Sequence, residues 1–233
     1  MKEPNKQIKS GLGGNPSGLR KVNDILNSEI SNNGLSSKGL IAVNASFFTS
    51  YNFDSYLYDY DKAWRNTQIG PVSFYNGKVL RDFTKYQTKI SRGFDLLGVT
   101  KDNQLKKYTI KGYSSLNDAQ KVIQKMKDDG IQNSFSFQPV LIDKGVVKVG
   151  NSEKASRSAI CQIDNNNFIL YSSRSLITLG TEAQALANSG CVTAFNLDGG
   201  GSRNGYYKKG NSGLQSLTVT SREVADVIYF REQ

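Results

Sequence analysis

One order of elements, hairpin then helix then strand, occurs twice in this chain and constrains its fold more than any single motif. The first copy opens with Phe94 to Val99, the turn Thr100-Lys101-Asp102-Asn103, and Gln104 to Ile110. Ser115 then caps a helix with Leu116, Ala119, Val122, Ile123 and Met126 on one face; Gly130 stops it, and a strand follows through Phe135 to Ile142. The second copy runs from Arg157 to Ile163, turns at Asp164-Asn165-Asn166-Asn167 and returns through Phe168 to Ser172. Thr181-Glu182-Ala183-Gln184 reads as a capping box opening a helix that Gly190 stops, and a strand then runs into Asp198.

The start of the chain looks like the end of a third such unit. Asn15-Pro16 offers an N-cap and a proline at the first helical position, and Leu19, Val22, Ile25, Leu26 and Ile30 mark one apolar face. After Asn32-Asn33-Gly34, the strand Leu40-Ile41-Ala42-Val43 ends on Asn44, much as Ala194-Phe195 leads to Asn196. Val72 to Tyr75, Asn76-Gly77 and Lys78 to Leu80 carry the strongest hairpin signal, because Asn-Gly supplies the positive-φ pair of a type I′ turn. Leu217 to Val219 and Val224 to Phe230 supply final strands, with Arg222 in the turn between them. These units predict an α+β fold, a twisted mixed β-sheet with packed helices whose strand ends bring Asn44 and Asp198 to one rim. Residues 1–17 read as a polar lead-in and 18–233 as one domain. Residues 49–68, with Tyr51, Tyr56, Tyr58, Tyr60 and Trp64 among acids, read as an ordered loop that stacks on a sugar or base or packs over the core edge.

The strand Thr193-Ala194-Phe195-Asn196-Leu197 breaks at Asp198-Gly199-Gly200-Gly201-Ser202. Three glycines remove every Cβ from the turn, so its N–H groups are free to form a concave nest for an anionic oxygen; the alternative is a plain strand-end turn. Histidine is absent, which excludes His-dependent triads and His-ligated zinc. Acid–base chemistry therefore falls to carboxylates, Lys, Tyr or water. Cys161 and Cys191 read as two buried free thiols. The formal charge of +10 suits an anionic partner, but the lysines are scattered and no nucleic-acid motif is present. No run is long and apolar enough for a membrane span, and the N-terminus carries no leader-like apolar segment.

Five segments in order, Asn44-Ala45-Ser46-Phe47-Phe48, Gln138-Pro139-Val140-Leu141, Arg157-Ser158-Ala159-Ile160, Asn196-Leu197-Asp198-Gly199-Gly200-Gly201-Ser202 and Arg222-Glu223-Val224-Ala225, resemble the phosphodiester glycosidase family. The resemblance runs from about residue 18 to the C-terminus, and the Asp-Gly-Gly-Gly-Ser motif behind a strand is its specific part. Ala45 and Cys161 stand where family members often carry glycine, and members usually have further strands ahead of the first helix, so an upstream domain or leader is expected to be missing.

The resemblance implies removal of a sugar, typically N-acetylglucosamine, from a sugar-1-phosphodiester by cleavage at the anomeric carbon. A phosphate is a good leaving group and calls for fixed positive charge more than for a proton donor. Arg157, Arg222 and the N–H groups of Gly199, Gly200 and Gly201 would supply that charge. Asp198 would act as general base, nucleophile or electrostatic stabiliser. Asn44 joins this catalytic set, while Asn196, Gln138, Phe47, Ser158 and Ser202 are expected to contact substrate. No cofactor is called for, and a divalent cation stays open. The expected partner is a phosphate-linked glycan or a nucleotide-sugar-like substrate, with nucleic acid disfavoured, and an extracellular, cell-surface or virion-associated setting is favoured. The other reading is a non-catalytic binding module for phosphate-linked surface glycans.

Overall fold

The structure is a computed structural model that describes residues 9–12, 19–47, 72–82, 84, 93–218 and 222–232. The aromatic loop expected over 49–68 and the Asn15-Pro16 cap lie outside these residues. Along the chain come β1 (Lys9–Leu12), α1 (Val22–Asn32), β2 (Leu40–Asn44), β3 (Val72–Tyr75) and β4 (Lys78–Asp82). The first full unit is β5 (Phe94–Thr100), β6 (Leu105–Ile110), α2 (Leu116–Asp128) and β7 (Ile131–Ser136). After β8 (Val140–Asp143) and β9 (Val146–Val147), the second unit is β10 (Ser158–Gln162), β11 (Phe168–Ser172), α3 (Leu179–Asn188) and β12 (Thr193–Leu197). The chain closes with β13 (Gly205–Lys208), β14 (Gln215–Thr218) and β15 (Asp226–Arg231).

Each unit builds its own sheet. The orders are β6-β5-β7, β11-β10-β12-β8-β9 and β1-β15-β2-β13-β14, so in the first two the strand after the helix pairs with the first strand of the hairpin. The third sheet repeats this as β14-β13-β2, its hairpin coming from the end of the chain and its helix and strand from the start. The third unit is therefore closed by the two ends of the chain. The class is α+β, as the sequence implies, but the single mixed sheet is not formed: every strand pair among the described residues is antiparallel.

Alternation along the strands explains how three sheets share one interior. Val43, Leu97, Val99, Phe135, Ile160, Phe195, Leu197 and Ile228 point inward to a common core. Their neighbours point outward to a helix: Ala42 toward the α1 cluster, Leu96 toward the α2 cluster, and Ala159 and Ala194 toward the α3 cluster. Strands covered on both faces read as continuous apolar runs, as Leu96-Leu97-Gly98-Val99 does in β5.

Several boundaries differ from the sequence reading for definable reasons. The strand expected through Phe135 to Ile142 is two strands in different sheets, β7 on β5 and β8 on β12. The break falls at the cis Gln138–Pro139 bond, where proline has no N–H to give to a ladder. Helix α1 starts only at Val22, because Arg20 is held in an antiparallel bridge with Val224. Helix α3 is capped by Thr178, whose Oγ1 accepts from the Thr181 N–H at 3.1 Å, so Thr181-Glu182-Ala183-Gln184 lies inside the helix and is not its cap. Within the expected lead-in, Lys9–Leu12 pairs with β15 as an edge strand.

Cys161 and Cys191 are not free thiols; they form a disulfide with a Cα–Cα distance of 5.8 Å. Strand β10 lies beside β12 with Cys161 opposite Ala194, and the Val192 N–H donates to the Gln162 carbonyl, which brings Cys191 back over its partner. The bridge is buried under α3 and ties the end of that helix to the sheet. Opening it should cost about 2–4 kcal/mol of stability, since it closes a loop of moderate length. Denaturant titration with and without reductant, alongside a Cys161→Ala/Cys191→Ala variant, checks this; identical midpoints with and without reductant would contradict it.

Candidate active site

Where β12 ends, Asp198 leaves the sheet and Gly199 leads into a 3-10 turn, Gly200–Ser202. The turn is pressed against the start of β10. A Cβ on Gly199 would sit 2.3 Å from the Ser156 carbonyl oxygen, so no side chain fits there. Gly200 has φ +54° and donates its N–H to the same oxygen at 2.8 Å. Ser202 N–H then donates to the Gly199 carbonyl at 2.9 Å, and the Gly199 N–H supports the Asp198 carboxylate. Of the three N–H groups expected to form an open nest, those of Gly199 and Gly200 are therefore engaged within the fold, on Asp198 and Ser156.

Asn44, the last residue of β2, is 1% exposed and bonds through both its amide nitrogen and its amide oxygen. Its Nδ2 donates to the Asp198 carbonyl at 2.6 Å, and its Oδ1 accepts from the Asn204 N–H at 2.9 Å and from Ser158 Oγ at 3.3 Å. Both ends of the Asn44 amide are engaged within the fold, which gives it a positioning role at the glycine turn, and buried Ser158 braces it from the neighbouring sheet. The β2 and β12 ends do meet at one rim, as the sequence implies.

Burial pushes the Asp198 carboxyl up to about 6; Ser202, Arg222 and the Gly199 N–H pull the other way. The Ser202 hydroxyl lies beside the carboxylate without reaching the geometry of a settled hydrogen bond, and its Oγ has no partner. Arg222 passes over the turn, its Nη1 3.7 Å from where a Gly201 Cβ would stand. Arg157 is close only through its backbone. Its Nη2 donates to the Glu153 carbonyl at 2.7 Å and to Ser152 Oγ at 3.2 Å, and its Nε points to the Ile177 carbonyl at 3.4 Å. Of the two arginines expected at a phosphate, the structure thus sets Arg222 beside Asp198 and engages the Arg157 guanidinium elsewhere.

Three further groups escaped the sequence reading. Asp226, at the head of β15, is fully buried and accepts from the Ser46 N–H at 2.7 Å and Ser46 Oγ at 2.6 Å. Burial pushes its carboxyl up to about 7, and the Asp198 charge adds to the rise. An acid opening the apolar run Asp226-Val227-Ile228 was the available signal. Glu182 is buried in the first turns of α3 with both carboxylate oxygens unpartnered, and burial raises it to about 8 against the pull of Arg157. Arg203, directly behind the glycine motif, donates through Nη1 to the Ser173 carbonyl and leaves its buried Nε without a partner.

The remaining expected contacts divide. Asn196 Nδ2 donates to the Gln138 carbonyl while its buried Oδ1 stays unpartnered. Gln138 and Phe47 are exposed, and the Phe47 backbone is fixed by Ser136. Of the five residues with buried unpartnered polar atoms among those described, Asn196, Ser202 and Arg203 belong to one short stretch around Asp198. Buried polar atoms are normally satisfied, so such a concentration marks a place where a ligand or ordered water completes the bonding. Among the described residues no group of three or more His, Cys, Asp or Glu is gathered as a metal ion would need, and no helix is long and apolar enough to cross a membrane.

The phosphodiester glycosidase family profile matches residues 37–231. No curated protein matches. Among solved structures, the chain is similar to the zebrafish N-acetylglucosamine-1-phosphodiester alpha-N-acetylglucosaminidase catalytic domain, auto-inhibited by pro-peptide. The identity is 18% over 97% of this chain and 72% of that one, with a TM-score of 0.58. A hypothetical protein from Synechocystis is similar at 16% identity, over 98% of this chain and 57% of that one, with a TM-score of 0.57. At these identities the likeness is one of fold.

Two outcomes follow from the packing and the charges. Gly199→Ala must displace a backbone carbonyl and should cost about 2–3 kcal/mol. Gly200→Ala has open space and only an unfavourable φ, which costs about 1 kcal/mol; urea midpoints that reverse this order would overturn the reading of the turn. Asp198, Asp226 and Glu182 all hold protons in the folded state at pH values where an unfolded chain has released them. Their contribution is therefore greatest below about pH 4 and is lost as pH rises toward about 8. Urea midpoints should fall from pH 5 to pH 8, less steeply in Glu182→Gln, and a flat or rising profile would refute the assignment.

Proposed function

The chain belongs to the phosphodiester glycosidase family, and from that premise we propose that it hydrolyses the glycosidic bond of a sugar-1-phosphodiester, releasing free sugar and a phosphomonoester. The sugar is of N-acetylglucosamine type. The observation that carries this reading is an enclosed carboxylate, Asp198, set at a strand end beside the Arg222 guanidinium in a stretch whose polar atoms await partners.

The chemistry divides between these two groups. The bond from the anomeric carbon to the phosphate oxygen breaks, its electron pair leaving on an oxygen that the phosphate already stabilises, so no proton donor is required at that point. Arg222 opposes the charge that builds on the departing phosphate. Asp198 acts in its ionised form, taking a proton from the attacking water or attacking the anomeric carbon itself, and its elevated pKa makes it a better proton acceptor than an exposed aspartate. Asn44 holds the Asp198 carbonyl, Ser158 braces Asn44, and together they fix where the carboxylate points. The buried Cys161–Cys191 bridge supports an oxidising setting, and with it an extracellular, cell-surface or virion-associated protein acting on phosphate-linked glycans or nucleotide-sugar-like molecules.

The test is hydrolysis of the methyl phosphodiester of N-acetylglucosamine-1-phosphate by the parent and by Asp198→Asn, with each protein melted alongside. Turnover should fall by about 10³-fold in the variant while substrate binding changes little. The parent rate should drop on the acid side of about pH 6, where Asp198 takes up its proton. Near-parent turnover by Asp198→Asn, or sugar-1-phosphate as the product, would overturn the proposal.

A further inference from the structure

We infer that Arg203 forms a second anion subsite on the aglycone side, so that the preferred substrate carries a further phosphate beyond the scissile phosphodiester, as in a polyol-phosphate chain. The inference rests on the reaction proposed above for Asp198 and Arg222. Its starting point is the placement of the Arg203 guanidinium. The side chain leaves the glycine turn and reaches the end of β11, where Nη1 donates to the Ser173 carbonyl, and its buried Nε has no partner.

The strand register says how far this lies from the reacting centre. Ser158 is opposite both Leu197 and Ser172, so the next residues along, Asp198 and Ser173, flank Arg157 from either side. Ser173 bonds Arg157 through both backbone groups, its N–H to the Arg157 carbonyl and its Oγ from the Arg157 N–H. Two strand spacings separate Ser173 from Asp198, roughly 10 Å. That is too far for the phosphate attached to the anomeric carbon and suits the next anionic group along the aglycone.

The charge around this position points the same way. Arg174, exposed, follows Ser173 directly, and neither it nor Arg203 meets a carboxylate among the described residues. Arg203 carries a positive charge and one buried donor still unfilled; a phosphate oxygen would answer both, a neutral sugar hydroxyl only the donor. The Arg157 guanidinium, by contrast, already donates to the Glu153 and Ile177 carbonyls and to Ser152 Oγ.

The experiment has a binding arm and a hydrolysis arm. In the first, calorimetry compares propane-1,3-diol bisphosphate with propane-1,3-diol monophosphate on the parent, Arg203→Gln and Arg203→Lys. The parent should bind the bisphosphate about tenfold more tightly, Arg203→Gln should lose that difference, and Arg203→Lys should keep part of it. Equal binding of both probes by the parent, or a difference that survives Arg203→Gln, would overturn the inference. Should Arg203→Gln fail to melt cooperatively, the Lys variant and Arg174→Gln carry the comparison. In the second arm, N-acetylglucosamine-1-phosphodiesters with a methyl or a glycerol-phosphate aglycone are hydrolysed, and the ratio of their kcat/KM values should fall about tenfold in Arg203→Gln. An unchanged ratio would count against the subsite. Hydrolysis of neither substrate would sink the glycosidase reading while the binding arm still decides the subsite.

Discussion

One buried amide holds the site together. Asn44 grips the carbonyl of Asp198 and the N–H of Asn204, which are the two ends of the glycine turn, while Ser158 from the neighbouring sheet donates to the Asn44 Oδ1. The Asn44 backbone N–H also donates to the Asn204 carbonyl at 3.2 Å. A side chain in one sheet thus closes a loop in another, and it does so in the interior, where an unmet amide group would cost 1–3 kcal/mol, roughly. Glycine is needed at position 199 for the same reason: the loop so closed runs against the Ser156 carbonyl with no room for a side chain.

The acids beside this loop owe their properties to the fold more than to one another's identity. Asp198 and Asp226 lie on either side of Ala45-Ser46, the first donating its N–H to the Ala45 carbonyl and the second accepting from Ser46. Burial favours the protonated form of both, and at Asp226 the nearby Asp198 charge favours it further. Asp226 is fully enclosed and hydrogen-bonded, whereas Asp198 faces Arg222 and an unsatisfied Ser202 hydroxyl. The division is one in which Asp226 secures the backbone next to the site and Asp198 remains the carboxylate open to chemistry.

Much of this was legible because it was local. The Asn76-Gly77 turn takes φ 49° and 77°, Ser115 caps α2 through the Asp118 N–H, and Gly130 and Gly190 adopt the positive φ that ends a helix. The recurring hairpin, helix and strand followed from the same local signals. What was not legible depends on partners far along the chain. The disulfide needs β10 and β12 to be neighbours, and the third unit needs the two ends of the chain to meet in one sheet. Strand β13, Gly205-Tyr206-Tyr207-Lys208, is too short and polar-flanked to stand out, though it carries Asn44 back to the turn. At the site, the motifs marked the right backbone but not the direction of each side chain. Arg157 meets the turn with its main chain and sends its guanidinium toward Glu182, while Arg203 reaches across the rim.

The proposed reaction directs attack to the anomeric carbon and leaves the phosphorus untouched. The measurement that meets it most directly is hydrolysis of an N-acetylglucosamine-1-phosphodiester in water enriched in oxygen-18, with mass analysis of both products. The account predicts the heavy oxygen in the released sugar and none in the phosphomonoester. Heavy oxygen in the phosphate, with the sugar unlabelled, would contradict it.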